Sequence, residues 1–248
     1  MGRIILVCGG DKKVVQNYTS SSLTYLEAPP PSPFWLDLLS PTERLLHRIS
    51  VPFRFHPQAL KAGLSHCRAP GCEDFGHYLF IKTFLLEPSK KSLFIQADMK
   101  IFLSGQYLIT IHRRNSPLHR LLLGSQGSEF TRTGRLLLKI LDKSICTLIK
   151  SFPAEDDSDF VFTRGDSQPN RNPLWWRLRN FRAALLRHVK LLHELAFLGA
   201  RFFDSEDINT LGSIKAKICF LSDITDGLLC RMDASANVTL DGGKQRMS

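Results

Sequence analysis

Two series of apolar residues in the last third of the chain constrain its fold most. In the first, apolar residues and one histidine recur at alternating steps of four and three from Leu174 to Leu195. In the second, similar steps continue from Leu211 to Met232. This spacing predicts α-helices that each bury one face. Because Gly199 separates the two series, the sequence predicts two long helices that pair antiparallel.

The first two thirds of the chain predict a sheet covered by a helix. The run "RIILVCGG" is typical of a strand followed by a turn, and His77 to Leu86 is a longer apolar run of the same type. Residues Asp98 to Arg114 predict two strands joined at Ser104 and Gly105, which is a hairpin. From Gly134 to Phe152 the apolar spacing returns to three and four, and this predicts an amphipathic helix on one sheet face.

The stretch from Phe34 to His66 contains acids, histidines and a tryptophan, which could indicate a reaction centre. Its local pattern favours a scaffold. Ser40 and Glu43 have the spacing of a capping box, with Pro41 at the first helical position, so a helix is expected to begin there. No nucleophile and base are paired in this stretch, and an enzyme is not expected.

The charge of the chain suits an anionic partner. Its 248 residues have a formal net charge of +10. Residues 171–190 alternate tryptophans with arginines, a pattern that could bind single-stranded nucleic acid. A basic nucleic-acid-binding protein is therefore the alternative function. Helical spacing favours the simpler interpretation that these arginines form the solvated face of a bundle.

Two clusters could hold a metal ion. His66, Cys67, Cys72 and His77 are residue types that bind zinc, but their spacing matches no standard zinc signature, and buried thiols with surface histidines are the simpler interpretation. The acids Asp156, Asp157 and Asp159 could gather a hard cation such as magnesium. The alternative for this second cluster is a solvated acidic loop. No tightly bound cofactor is expected.

Several short motifs, taken in order, resemble the cytoplasmic part of CorA-type magnesium transporters. The matching residues are Trp35 and Asp37 of a Trp-x-Asp strand, His56 and Pro57 followed by Leu60 of a helix, and Tyr78 and Phe80 of a Tyr-x-Phe strand. The resemblance implies an α/β fold, a mixed β-sheet sandwiched between helices, followed by long antiparallel helices that form a stalk. It divides the chain into an α/β domain at 1–170 and a helical hairpin at 171–248.

The same resemblance implies a regulatory part of a divalent-cation transporter, which assembles as a homo-oligomer, a pentamer in the family, through its stalk. It places the chain at the cytoplasmic face of the inner membrane. Two departures matter. Where the family has a Glu-Asp pair that takes part in magnesium sensing, this chain has Lys61 and Ala62. The family's pore helix and Gly-Met-Asn motif are absent, so we expect a soluble chain truncated before the pore, with no membrane contact of its own and no nucleic-acid partner.

Overall fold

The computed structural model describes residues 3–8, 11–16, 32–67, 69–89, 93–114, 132–152 and 173–244. They form seven strands and five helices. The strands are β1 (Arg3–Cys8), β2 (Asp11–Gln16), β3 (Phe34–Leu39), β4 (Gly71–Asp74), β5 (Leu79–Ser89), β6 (Leu93–Leu103) and β7 (Tyr107–His112). The helices are α1 (Glu43–Phe53), α2 (Pro57–Leu64), α3 (Thr133–Ser151), α4 (Pro173–Leu198) and α5 (Ser205–Lys244).

The strands form one mixed sheet in the order β2-β1-β3-β7-β6-β5-β4. Strands β3 and β7 pair in parallel at its centre, and the other described neighbours pair antiparallel. The predicted hairpin is confirmed as β6 and β7, with Leu103 opposite Leu108. Strands β2 and β4 were missed, because neither contains the apolar run or alternation that marks a strand in sequence.

Helices cover both faces of the sheet, as the family resemblance implied. Because side chains alternate along a strand, Leu36 and Leu38 of β3 pack with α1 and α2, whereas Trp35 belongs to the core under α3, α4 and α5. The two cores lie on opposite sides of the same strands. The predicted α/β fold with a sandwiched mixed sheet is therefore confirmed.

Helix α1 begins differently from the prediction. Thr42 is the N-cap, and its side chain accepts a hydrogen bond from the Leu45 backbone N–H at 3.2 Å. Ser40 has a φ of 48° and its hydroxyl donates to the Arg113 carbonyl oxygen at 3.0 Å. The predicted capping box at Ser40 is thus wrong, because a second capping residue lies two positions nearer the helix. Ser40 is used to join the ends of β3 and β7.

The two long helices are confirmed, and they pair antiparallel. Near the start of α4, the Trp175 indole N–H donates to Asp233 Oδ1 at 3.0 Å. Further along, the Arg182 Nε lies 2.5 Å from Asp226 Oδ1. Of the helices described, none combines the length and the apolar character that crossing a bilayer requires. The boundary predicted at residue 170 falls outside the described residues.

Helices α3 and α4 also protect the edge of the sheet. Strand β4 pairs only with the first four residues of β5, so β5 beyond Lys82 needs other partners on that side. Ser144 of α3 donates to the Leu86 carbonyl oxygen at 3.0 Å, and His188 Nε2 of α4 lies 2.8 Å from the Phe84 carbonyl oxygen. Burial lowers the pKa of His188, because desolvation disfavours the imidazolium. A neutral imidazole can donate to one of its two carbonyl neighbours, the Phe84 oxygen at Nε2 or the Ala184 oxygen 2.9 Å from Nδ1.

One glycine allows the start of α3 to approach the turn between α4 and α5. A Cβ built on Gly134 would lie 2.4 Å from the Phe202 carbonyl oxygen and 2.9 Å from Phe203 Cδ1. Since one of these neighbours is backbone, it cannot simply rotate away. Gly134 therefore sets the distance between α3 and the α4–α5 turn.

We expect Gly134→Ala to destabilise the protein by about 1–3 kcal/mol, because the added methyl group overpacks this contact. The matched control is Gly212→Ala in α5, where a Cβ would meet nothing within 4 Å. That change should stabilise the protein by about 0.5–1 kcal/mol, since alanine favours a helix. Urea unfolding measures both. Equal effects of the two changes would contradict the packing argument.

Candidate functional site

The centre of the sheet has the geometry of a ligand-binding edge. Strands β3 and β7 are parallel neighbours, so both end at the same edge. The chain leaves β3 into α1, which covers one face, and the next described helix after β7 is α3, which covers the other. In open α/β sheets, ligands bind outside the carboxyl ends of strands at such a switch point.

A cavity of about 300 Å³ opens at this edge. Its walls come from the end of β3, the end of α2, the middle of β6 and the end of β7. The lining residues are Ser40, Pro41, Gly63, Leu64, Asp98, Lys100, Ile111, His112 and Arg113. The volume is at the lower end of the range for small-molecule sites.

Two basic side chains hold the C-terminal end of α2 against this cavity. Lys100 is 2% exposed, and its Nζ lies 2.5 Å from the Ser65 carbonyl oxygen and from both carboxylate oxygens of Asp98. The Arg113 guanidinium donates to the Leu64 carbonyl oxygen. Cations at a helix C-terminus satisfy its carbonyl groups and complement its partial negative charge. The cavity wall is therefore held together by charge.

Behind the cavity lies a buried polar network. The Trp35 indole donates to the Thr110 hydroxyl at 2.9 Å, and that hydroxyl donates to Asp37 Oδ1 at 2.6 Å. His112 Nε2 lies 3.0 Å from both Asp37 oxygens, and its Nδ1 lies 2.7 Å from the Arg114 carbonyl oxygen. Since both ring nitrogens face oxygen acceptors, the arrangement fits an imidazolium beside a carboxylate. The network joins β3 to β7.

These contacts do not form a catalytic group. Both nitrogens of His112 are held by oxygen acceptors, and the Ser40 hydroxyl donates to a backbone carbonyl. Nucleophilic catalysis needs a hydroxyl or thiol bonded to a base that can take its proton. No such pair lines the cavity within the described part of the chain.

The structure brings together residues that the sequence had marked only as a strand motif. Trp35 and Asp37 belong to the network, whereas their partners Thr110 and His112 and the nearby Lys100 were missed. The sequence signal that could have indicated them is a threonine, a lysine and a histidine inside otherwise apolar strands. Each would be buried when its strand is central, and a buried polar group requires a partner.

The candidate zinc-type cluster of His66, Cys67, Cys72 and His77 does not converge. His66 lies beside Arg113, with its Nε2 3.0 Å from that guanidinium, and His77 Nε2 lies 3.2 Å from the Phe53 carbonyl oxygen. Burial and the nearby Glu194 carboxylate raise the pKa of Cys72 to about 12. In the parts of the chain that are described, no group of three or more His, Cys, Asp or Glu side chains is placed to hold a metal ion.

The two other predicted metal-related positions differ in what the structure says of them. Asp156, Asp157 and Asp159 lie outside the described residues. Lys61 and Ala62 lie on α2, where Lys61 is exposed and Ala62 is half-buried against the apolar core beneath the helix. Neither residue offers a carboxylate oxygen at this position.

The structure does not favour the nucleic-acid alternative. Trp175 and Phe181 are buried, so their rings are covered by protein. Arg179 lies over the Trp175 ring at 4.5 Å from its centroid, and Arg182 pairs with Asp226. Base stacking requires exposed aromatic faces. Of the three aromatic residues in 171–190, Trp176 alone is exposed.

Two buried threonines test the polar network. Thr110→Val should destabilise the protein by about 1–3 kcal/mol, because the Trp35 N–H and the Asp37 carboxylate each lose a buried partner. The control is Thr83→Val, which is equally buried and whose hydroxyl has no hydrogen-bond partner among the described residues. That change should be neutral or stabilising by up to about 1 kcal/mol. Chemical denaturation compares them, and equal losses would contradict the network.

Residues 32–154 match the family model described as CorA-like Mg2+ transporter protein. None of the curated proteins matches the chain.

Solved structures share the fold. The soluble domain of CorA from Methanocaldococcus jannaschii has a TM-score of 0.70 at 16% identity, over 96% of this chain and 96% of that one. The full-length CmaX protein has a TM-score of 0.71 at 13% identity, over 99% of this chain and 78% of that one. The ZntB cytoplasmic domain from Vibrio parahaemolyticus has a TM-score of 0.64 at 11% identity, over 97% of this chain and 98% of that one. The chain therefore has the fold of a CorA soluble domain, and its residues 32–154 match the CorA-like family model.

Proposed function

We propose that this chain is the cytoplasmic scaffold and regulatory part of a transporter for divalent cations, and that magnesium is the ion. The observation that carries the proposal is the family match over residues 32–154, together with a shared fold that extends over 96% of the soluble domain of a CorA. The pore would come from a membrane segment, which the described residues do not contain.

Assembly would use the helical stalk. Helix α5 is 40 residues long, and its partner α4 ends at Leu198. At about 1.5 Å per residue, the 40 residues of α5 reach roughly 60 Å, whereas the 26 residues of α4 reach roughly 39 Å. We propose that copies of the chain associate along this helix as a homo-oligomer, a pentamer by analogy with the family. The membrane would be reached only through the pore segment.

Magnesium sensing at α2 is proposed to be lost. Magnesium prefers carboxylate and water oxygens in an octahedral shell. Ala62 offers no ligand atom, and the Lys61 ammonium repels a cation that approaches the same surface. If sensing persists, the acidic run at Asp156, Asp157 and Asp159 is the remaining candidate.

The transport proposal is tested with a chimera in which this chain replaces the soluble part of the Methanocaldococcus jannaschii CorA. We expect magnesium uptake into liposomes through the chimera and none through the isolated chain, because no helix among its described residues can cross the hydrocarbon core. A magnesium-sensitive dye inside the vesicles measures uptake, with the parent CorA as control. Uptake through the isolated chain would contradict the proposal, as would a chimera that assembles like the parent yet never conducts.

The sensing proposal predicts that magnesium in the millimolar range leaves the melting temperature of the chain unchanged. A ligand that binds only the folded state would raise it. Sodium chloride at matched ionic strength is the control. We expect Ala62→Asp to introduce a magnesium-dependent rise, because the carboxylate restores a ligand. A rise of several degrees in the unaltered chain that Ala62→Asp leaves unchanged would show that sensing lies elsewhere.

A further inference from the structure

The transport function proposed above assigns no role to the cavity between β3, β6 and β7. We infer that it binds a small oxyanion, a molecule that carries a phosphate or carboxylate group. Its place supports a ligand, since it lies at the switch point between two parallel strands. Its volume of about 300 Å³ accommodates inorganic phosphate or a small dicarboxylate.

The charge of the walls selects an anion. Lys100 and Arg113 line the cavity, and Asp98 is the one carboxylate among the described lining residues. Asp98 is already bonded to Lys100 through both oxygens. The Asp37 carboxylate lies behind His112, which faces it with Nε2. Positive charge therefore predominates at the surface that a ligand meets, and a free divalent cation is disfavoured there.

Arg113 supplies the donors. Its guanidinium has five N–H groups in a planar fork that matches phosphate and carboxylate oxygens. The guanidinium contacts the Leu64 carbonyl oxygen and His66 Nε2. These contacts hold it beside the cavity, which Arg113 lines. The His66 side chain is 77% exposed, so it can move aside when the guanidinium turns to an incoming anion.

Ser40 is held at the cavity in a costly conformation. Ser40 and Arg54 are the two non-glycine residues with positive φ in the described chain. A side chain in the left-handed region is unfavourable, and such residues cluster at binding sites. The Ser40 backbone N–H donates to the His112 carbonyl oxygen at 2.7 Å, which fixes the turn between β3 and β7. Glycine would suit this backbone better, but it would remove the hydroxyl that donates to the Arg113 carbonyl oxygen and so holds Arg113 at the cavity wall.

The test is calorimetric titration of the 248-residue chain with inorganic phosphate and with succinate, each against sodium chloride at matched ionic strength. We expect saturable binding of at least one of the two anions in the millimolar range or tighter. The anion that binds more tightly identifies the chemical group. Amide chemical shifts of Ser40, Lys100 and Arg113, followed by NMR during the same titration, locate the bound anion.

Two pairs of variants complete the test. Arg113→Gln should weaken binding about tenfold or more, because a charge-assisted contact is lost. Its control is Arg44→Gln, which removes an exposed arginine of α1 that does not line the cavity and should leave binding unchanged. Ser40→Gly should weaken binding about threefold to tenfold while the protein stays folded. Its control, Arg54→Gly, relieves the other positive φ away from the cavity and should leave binding unchanged.

The outcomes separate a built site from general attraction. Weakening by Arg113→Gln and by Ser40→Gly, with both controls unaffected, supports the oxyanion site. Equal weakening by Arg113→Gln and Arg44→Gln overturns it, because the anion then responds only to net charge. Absence of saturable binding by both anions also overturns it. None of these results depends on transport, so the oxyanion site and the transporter proposal stand or fail separately.

Discussion

The parallel pairing of β3 with β7 is the interaction on which the rest of the structure depends. Asp37 and Thr110 meet across this pair although 73 residues separate them in sequence, so the chain must close a long loop before the sheet has a centre. Once the two strands are joined, α1 and α3 are directed to opposite faces. The two cores, the cavity and the position of α2 then follow from that arrangement.

The local elements could be predicted from the sequence, whereas their partners could not. Helices α3, α4 and α5 have regular apolar spacing, and the β6–β7 hairpin joins two apolar runs at Ser104 and Gly105; these signals are contained in a few adjacent residues. Strand β4 is four residues long and polar, and it exists because β5 pairs with it. Its formation depends on tertiary contacts that local propensity does not contain.

The candidate site could not be predicted from the sequence for the same reason. Lys100 and His112 lie in strands whose other residues are mostly apolar, and nothing in the sequence indicates that Lys100 meets Asp98 while His112 meets Asp37. The capping error at Ser40 has a related cause. Its side chain satisfies the carbonyl of Arg113, a residue that is adjacent only after β3 and β7 pair. Polar partners in the core were thus determined by the sheet, and the sequence shows only that partners are needed.

The exposed surface of α2 and the residues that build the cavity are constrained differently. Helix α2 is anchored by Ala59, Leu60 and Gly63, while Lys61 is exposed on the other side. A carboxylate at this surface can therefore be replaced without disturbing the core, since surface substitutions change stability little. The cavity, in contrast, is walled by buried Lys100 and His112, whose loss would remove one partner each from the Asp98 and Asp37 carboxylates. Its chemistry is consequently tied to the fold, while the surface of α2 is free to change.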